Sequence, residues 1–399
     1  MEAYLLDWAS LLLRWLHVIA GIVWIGASFY FVALDNSLDP PNPPKKGVLG
    51  ENWSIHGGGF YHKQKYVVAP DRLPERLHWF KWEAYWTWIS GFALFVVAYY
   101  LHAETMLVDR AVLDIAPSTA VLASLGLIVA AWLVYDGLCR SPLGRHDGWL
   151  ALVGFVLIAL AAWGCAQLFG GRGAYLQVGV MVGTIMVANV AMVIIPGQKK
   201  MVAAMSAGEV PDPKYGRWGK QRSVHNNYVT LPVVFIMLSG HYPMTYGHPQ
   251  AWAVLVAVFL IGGVVRHYFN RRNAGQTIAW LPAVAAAMVV VLAALIVPRA
   301  PEGSAGRTAT IADVQQVIAL RCQSCHAAAP TQPGFVQPPG GIMLDTPERI
   351  AQFAQKIHQQ TVLAKVMPPG NLTGITDDER AIIAAWYRDA APGRGRGGS

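Results

Sequence analysis

Cys322, Cys325 and His326 stand in the order Cys-x-x-Cys-His, a spacing suited to one kind of chemistry. Two thiols one helical turn apart add to the two vinyl groups of a haem, and the adjacent imidazole then reaches the iron. The motif predicts a covalent haem c on Cys322 and Cys325, with His326 as proximal ligand. A second axial ligand must come from later in the chain. Met367, within Val366-Met367-Pro368-Pro369-Gly370, is the expected one, because a thioether raises the reduction potential and the prolines stiffen its loop. His358 competes for that role; in the helical run 349–361 an exposed histidine is the ordinary alternative. A redox dithiol or half of a zinc site also uses paired cysteines, but neither needs a histidine directly after the second one.

A second set of chemistry-bearing residues falls in apolar surroundings, where ionisable groups are costly. His17 lies inside the first long apolar stretch and is a candidate ligand for a second haem, of b type. A histidine hydrogen-bonded between helices is the competing reading. His102 and His241 stand at helix ends and read more simply as interfacial. Glu83, Asp136, His225-Asn226-Asn227, His267 and Asn189 gather toward one side of the same stretches. Taken together they predict a polar cavity for a planar, hydrogen-bonding, anionic substrate, with Glu83 and His225 as acid–base groups. Taken singly, Glu83 caps a helix start and His225 faces headgroups. Between the first two stretches runs Trp53-Ser54-Ile55-His56-Gly57-Gly58-Gly59-Phe60-Tyr61-His62-Lys63. One reading stacks Phe60 or Tyr61 on a flat heterocycle, with His56 or His62 as acid or base. The other is a hairpin that ties down a long loop. No G-x-G-x-x-G follows a strand, which disfavours a dinucleotide fold.

The elements that must position these groups follow from composition. Of 399 residues, 54% are hydrophobic and 14% charged, against about 25% charged in soluble domains. Disorder, a disulfide framework and a coiled-coil rod are excluded. Eight stretches approach the roughly 20 apolar residues of a membrane helix: 8–34, 82–101, 115–138, 148–170, 174–195, 224–240, 250–269 and 278–297. The loops on one side carry eighteen Lys and Arg and those on the other carry two, Arg110 and Arg172. The positive-inside rule then puts both termini outside the cytoplasm. The net charge of +8 is thus topological, and no nucleic-acid partner is expected. Glu2 and Asp7 open the first stretch where a cleavable signal would carry basic residues.

After Val297 the chain changes character. Residues 299–307 read as a Pro/Gly/Ala/Ser linker, 308–391 as a small soluble domain and 392–399 as a frayed tail. A helix over 311–320 leads into the cysteines, and Thr376 with Glu379 forms a capping box for the last helix. The expected fold class is all-α: an eight-helix transmembrane bundle (1–298) followed by a small class I cytochrome c domain.

Three segments carry a family likeness. Leu16-His17-Val18-Ile19-Ala20-Gly21-Ile22-Val23-Trp24-Ile25-Gly26, His56-Gly57-Gly58-Gly59-Phe60-Tyr61 and Lys81-Trp82-Glu83-Ala84-Tyr85, followed by a C-terminal cytochrome c, resemble the bacterial membrane-bound urate hydroxylase (urate oxidase) family over essentially the whole length. The first-helix pattern also resembles membrane-type protoporphyrinogen oxidases, which carry haem b and so support His17 by analogy. The resemblance implies oxidation of urate to 5-hydroxyisourate with water as the oxygen source. Electrons would leave through the cytochrome to a soluble cytochrome c or another respiratory acceptor, and no hydrogen peroxide would form. It implies a multi-pass protein of the bacterial inner membrane with the cytochrome domain in the periplasm. No family motif assigns urate-binding residues. Other readings stay open: a quinol or porphyrinogen dehydrogenase, a membrane-anchored electron shuttle, or a transporter fused to a cytochrome.

Overall fold

The computed structural model describes residues 2–297, 306–333 and 335–390. Most of the linker expected at 299–307, and all of the tail at 392–399, lie outside them. The chain is mostly helical. Five helices, Tyr4–Asn36, Pro117–Arg140, Asp147–Leu168, Gly171–Ser206 and Ala251–Asn273, are long and apolar enough to cross a membrane.

All eight apolar stretches form helices, but of unequal kind. We label α1 (Glu2–Asn36), α2 (Trp82–Phe95), α3 (Pro117–Arg140), α4 (Asp147–Leu168), α5 (Gly171–Ala188), α6 (Ile195–Ser206), α7 (Pro213–Ser239), α8 (Ala251–Asn273) and α9 (Trp280–Leu295). The second stretch continues from α2 through a wide turn, Val96–Tyr100, and α5 runs through a similar turn, Asn189–Ile194, into α6. Three stretches fall short of the five for different reasons. The α2 helix is short, α9 has 16 residues, and α7 opens with Lys214, Arg217, Lys220 and Arg222 so that only its second half is apolar. Asp212 starts α7: its side chain accepts the Lys214 N–H, and Pro213 needs no donor partner there.

Packing sorts the helices into a centre and a rim. Half of the apolar window in Gly171–Ser206 is buried, against 11% in Tyr4–Asn36, so α5 is the central helix and α1 peripheral. Phe169, Tyr175, Val178, Ile236 and Leu255 build the main core around α5. Leu122, Leu133, Leu160 and Val290 are more than half exposed, an outer apolar surface that suits lipid better than water.

The all-α expectation is corrected between α1 and α2. Strands β1 (Val48–His56) and β2 (Gly59–Tyr66) pair antiparallel, with His56 opposite Gly59. The reason is local. Gly57 and Gly58 both take positive φ, +57° and +79°, the demand of a two-residue hairpin turn that only glycine meets cheaply. The hairpin reading of this loop therefore describes its backbone.

The C-terminal residues have their own core of Val314, Val317, Ile318, Leu344, Ile350, Ile383 and Trp386. It joins α10 (Ile311–Arg321), α11 (Pro347–Gln352) and α12 (Asp377–Ala390). Thr310 and Asp313 cap α10 reciprocally, and Thr376 and Glu379 do the same for α12.

Candidate functional site

Cys322 ends α10, and a single turn, Gln323–His326, carries the rest of the motif. The Cys322 and Cys325 thiols are unpaired. Burial pushes the Cys322 thiol up to about 12 and also raises Cys325. His326 Nδ1 lies 2.9 Å from the Ile342 carbonyl. An N–H at that nitrogen donates to the carbonyl and leaves Nε2 with its lone pair, the tautomer an iron ligand needs. The Leu344 N–H donates to the His326 carbonyl at 2.7 Å, and Gln323 Nε2 to the Leu344 carbonyl at 3.1 Å. The chain after the motif is thus laced to it. These residues fit a haem c.

The Met367 loop is held from two sides. Its N–H donates to the Gln360 carbonyl at 3.1 Å, and its own carbonyl accepts from Arg380 Nη1 at 3.0 Å. Arg380, 5% exposed on α12, also donates to the Thr361 carbonyl. Desolvation lowers the Arg380 pKa. His358 instead stacks on Tyr387, rings 4.2 Å apart and 13° from parallel, and burial lowers its pKa. Among the described residues no group of three His, Cys, Asp or Glu could hold a metal ion, so the half zinc site finds no second half.

Met367 also lines a cavity of about 790 Å³ between this domain and the helical bundle. Its other walls include Arg172, Tyr175, His241, Tyr246 and Trp252. The Arg110 N–H reaches the Gly370 carbonyl at 3.4 Å across the same contact.

Within the bundle, His17 Nδ1 lies 2.9 Å from the Thr87 carbonyl and 3.4 Å from Ser90 Oγ. Gly91 makes the space for its ring: a Cβ there would come within 2.6 Å of His17 Cε1. His225 Nδ1 lies 2.8 Å from the Tyr135 hydroxyl, which also accepts from Asn189 Nδ2 at 3.1 Å. Asn189 Nδ2 donates to Asn226 Oδ1 at 2.9 Å as well. Asn189, the first residue of the wide turn, is fully buried. Such turns recur at functional sites.

The remaining expected groups stand elsewhere. His62 stacks on Trp53 across the hairpin and lies 2.8 Å from Glu51 Oε2. His56 is exposed at the turn, and Phe60 and Tyr61 are 78% and 52% exposed. Glu83 sits half-buried in the first turn of α2. Among the described residues none of His56, His62 and Glu83 hydrogen-bonds to His225.

Sequence reasoning counted Arg222 and Arg266 as loop charges; the structure buries both, at 3% and 5% exposure. Arg222 pairs with Asp136 at 2.7 Å and lies 4.9 Å from the Tyr135 ring centroid. Arg266 contacts Asn227, Asn270 and Phe29. Both lie on helices and not in loops, and their i,i+4 spacing to Asn226 and Asn270 was the one signal in the sequence that could have found them.

No curated protein and no solved structure matches the chain. The model of the family described as urate oxidase N-terminal does match, over residues 3–297, a span that takes in α1 through α9 with the His17 and His225 centres, and the chain belongs to that family.

Proposed function

We propose that the protein is a membrane-bound urate hydroxylase that oxidises urate to 5-hydroxyisourate and passes the electrons outward through its C-terminal domain. The observation that carries this reading is the union, in one chain, of a urate oxidase N-terminal region with a Cys-x-x-Cys-His domain whose His326 keeps Nε2 free. The reaction balances as urate plus water giving 5-hydroxyisourate, two electrons and two protons. A C–O bond forms to the water oxygen, which keeps one proton as the new hydroxyl; its other proton, one ring N–H proton and the electron pair leave.

The residues divide this work. Cys322 and Cys325 would hold haem c covalently, and His326 and Met367 would supply its iron ligands. When bound, that group supplies one-electron transfer at a potential raised by the thioether. Arg380 holds the Met367 loop in place. His17, its ring oriented by the Thr87 carbonyl, would hold a haem b. Of the four acid–base candidates, His56, His62, Glu83 and His225, the last has the buried partners that favour proton transfer in a low-dielectric site. Tyr135 orients it.

On this reading eight helices within residues 1–298 span the bacterial inner membrane, 299–307 is the linker, 308–391 the periplasmic class I cytochrome c domain and 392–399 a tail. Both termini are periplasmic, and the external acceptor is a soluble cytochrome c or another respiratory-chain component. The test is anaerobic: oxidise the purified protein fully, add urate and record the visible spectrum. Growth of reduced haem c bands is expected. Reduction by dithionite but not by urate overturns the reading and leaves quinols or porphyrinogens as donors.

A further inference from the structure

Arg266 is a buried cation without a counter-ion. It is 5% exposed, whereas Arg271 and Arg272, on the last turn of α8, are exposed as positive-inside residues should be. Asp136, the carboxylate nearest in role, is taken by Arg222 and Arg140. Among the described residues no carboxylate lies within ion-pair distance of Arg266. Its guanidinium is met instead by amide oxygens. Nε and Nη2 donate to Asn227 Oδ1 at 3.2 and 3.1 Å, and Nη2 also to Asn270 Oδ1 at 3.2 Å. The Phe29 ring covers one face at 3.8 Å. Amide dipoles and a ring face solvate a cation but do not neutralise it, and an uncompensated charge in a membrane bundle is expensive.

Two further observations indicate what is missing. Asn270 Nδ2 also donates to Asn227 Oδ1, at 3.0 Å. Three donors on one oxygen fix that amide's orientation, and they leave Asn227 Nδ2 fully buried with no hydrogen-bond partner. Arg266 Nη1 likewise makes no hydrogen bond among the described residues. One turn away, Gly26 on α1 and Gly263 on α8 each have nothing within 4 Å of where a Cβ would stand. The site therefore offers spare N–H donors and a positive charge, with open space one turn away.

The geometry points to an anion site between α1, α7 and α8 that binds urate as its monoanion, with Arg266 as counter-ion and Asn227 Nδ2 as second donor. The inference rests on the urate reading above and names its anchoring residues. A urate anion is planar and carries carbonyl oxygens beside a deprotonated ring nitrogen, acceptors in the plane that guanidinium and amide donors match. Arg266 and Asn227 are binding residues here; no proton transfer is assigned to them.

The test uses full-length holoprotein in detergent, reduced with dithionite so that urate binds without turnover. Equilibrium dialysis with labelled urate, and with hypoxanthine as a neutral oxopurine, compares wild type with Arg266→Gln and Asn227→Asp. Arg266→Gln should weaken urate about tenfold or more and leave hypoxanthine unchanged. Asn227→Asp supplies the missing carboxylate internally, so it should fold with a raised Tm and an intact haem c spectrum yet lose urate. Unchanged urate affinity in both variants overturns the site. The same holds if the variants lose bound phospholipid instead, since Arg266 then serves a headgroup. If wild type itself binds no urate, the urate reading falls. The anion site is then judged by Asn227→Asp alone, and no rise in Tm overturns it too.

Discussion

His17 Nδ1 faces the carbonyl oxygen of Thr87 at 2.9 Å, one helix orienting the imidazole of another. The same carbonyl accepts from the Ser90 hydroxyl at 3.2 Å, while the Thr87 hydroxyl donates back to the Glu83 carbonyl. An imidazole held at Nδ1 presents Nε2 to whatever lies beyond it, the arrangement metal-bound histidines share.

His17→Ala and Gly91→Val should therefore act alike. The first removes the ring and the second drives a side chain into it. A haemochrome spectrum of each purified variant should lack any b-type band and keep the haem c band. Loss of neither band in either variant would detach His17 from haem binding.

Arg380 is the keystone of the Met367 loop. Replacing it by Leu removes two hydrogen bonds and leaves the Thr361 and Met367 carbonyls without their donor. A loss of about 2–4 kcal/mol is expected, read as an earlier denaturant midpoint for haem c release. The reduction potential should shift as the loop loosens. Met367→Ala should shift the potential without the same stability loss.

His225→Ala should lower kcat for urate by about 10²–10⁴ with little change in KM, the usual signature of a lost acid–base group. Tyr135→Phe keeps the ring and removes the hydroxyl that bridges His225 and Asn189, so its effect should be smaller and appear chiefly in the pH profile. Equal KM effects in both would mark the network as structural.

Acid should destabilise the C-terminal domain in two steps. His358, its pKa lowered by burial, favours the neutral form when folded, so the unfolded chain binds the extra proton. Stability falls as pH drops below about 6.5. Hydrogen bonds from Arg349 and Lys365 hold Asp345 and Asp377 below the usual carboxylate range, as the Thr310 N–H does for Asp313. Their contribution is present above about 4 and is lost as pH falls through the lowered values. His358→Gln should abolish the upper step alone in an acid titration of haem c absorbance.

Urate oxidation should proceed at full rate under nitrogen when an external cytochrome c is supplied, and aerobic turnover should yield no hydrogen peroxide. Stoichiometric peroxide, read by a peroxidase assay, would mean that electrons leave to dioxygen and that His326 is not on their route.

What the sequence determined by itself was whatever depends on composition and short spacing. Apolar run length located eight helical stretches, five of them long and apolar enough to cross a membrane, because a helix satisfies its backbone hydrogen bonds within its own segment. Cys322, Cys325 and His326 were legible because three residues within five positions must share one turn. The Thr376–Glu379 cap was legible for the same reason. The hairpin stayed ambiguous until two positive-φ glycines resolved it, since a Gly run suits a turn and a close ligand approach equally. Only the tertiary structure decided which polar residues meet. Tyr135, Asn189 and His225 lie as far as 90 positions apart, and helix packing alone brings them together. Arg266 and Asn227 are separated by 39, and nothing in a positive-inside count distinguishes a buried arginine from its exposed neighbours. Burial is a property of the partner helix, and the partner is chosen by long-range packing that local pattern does not encode.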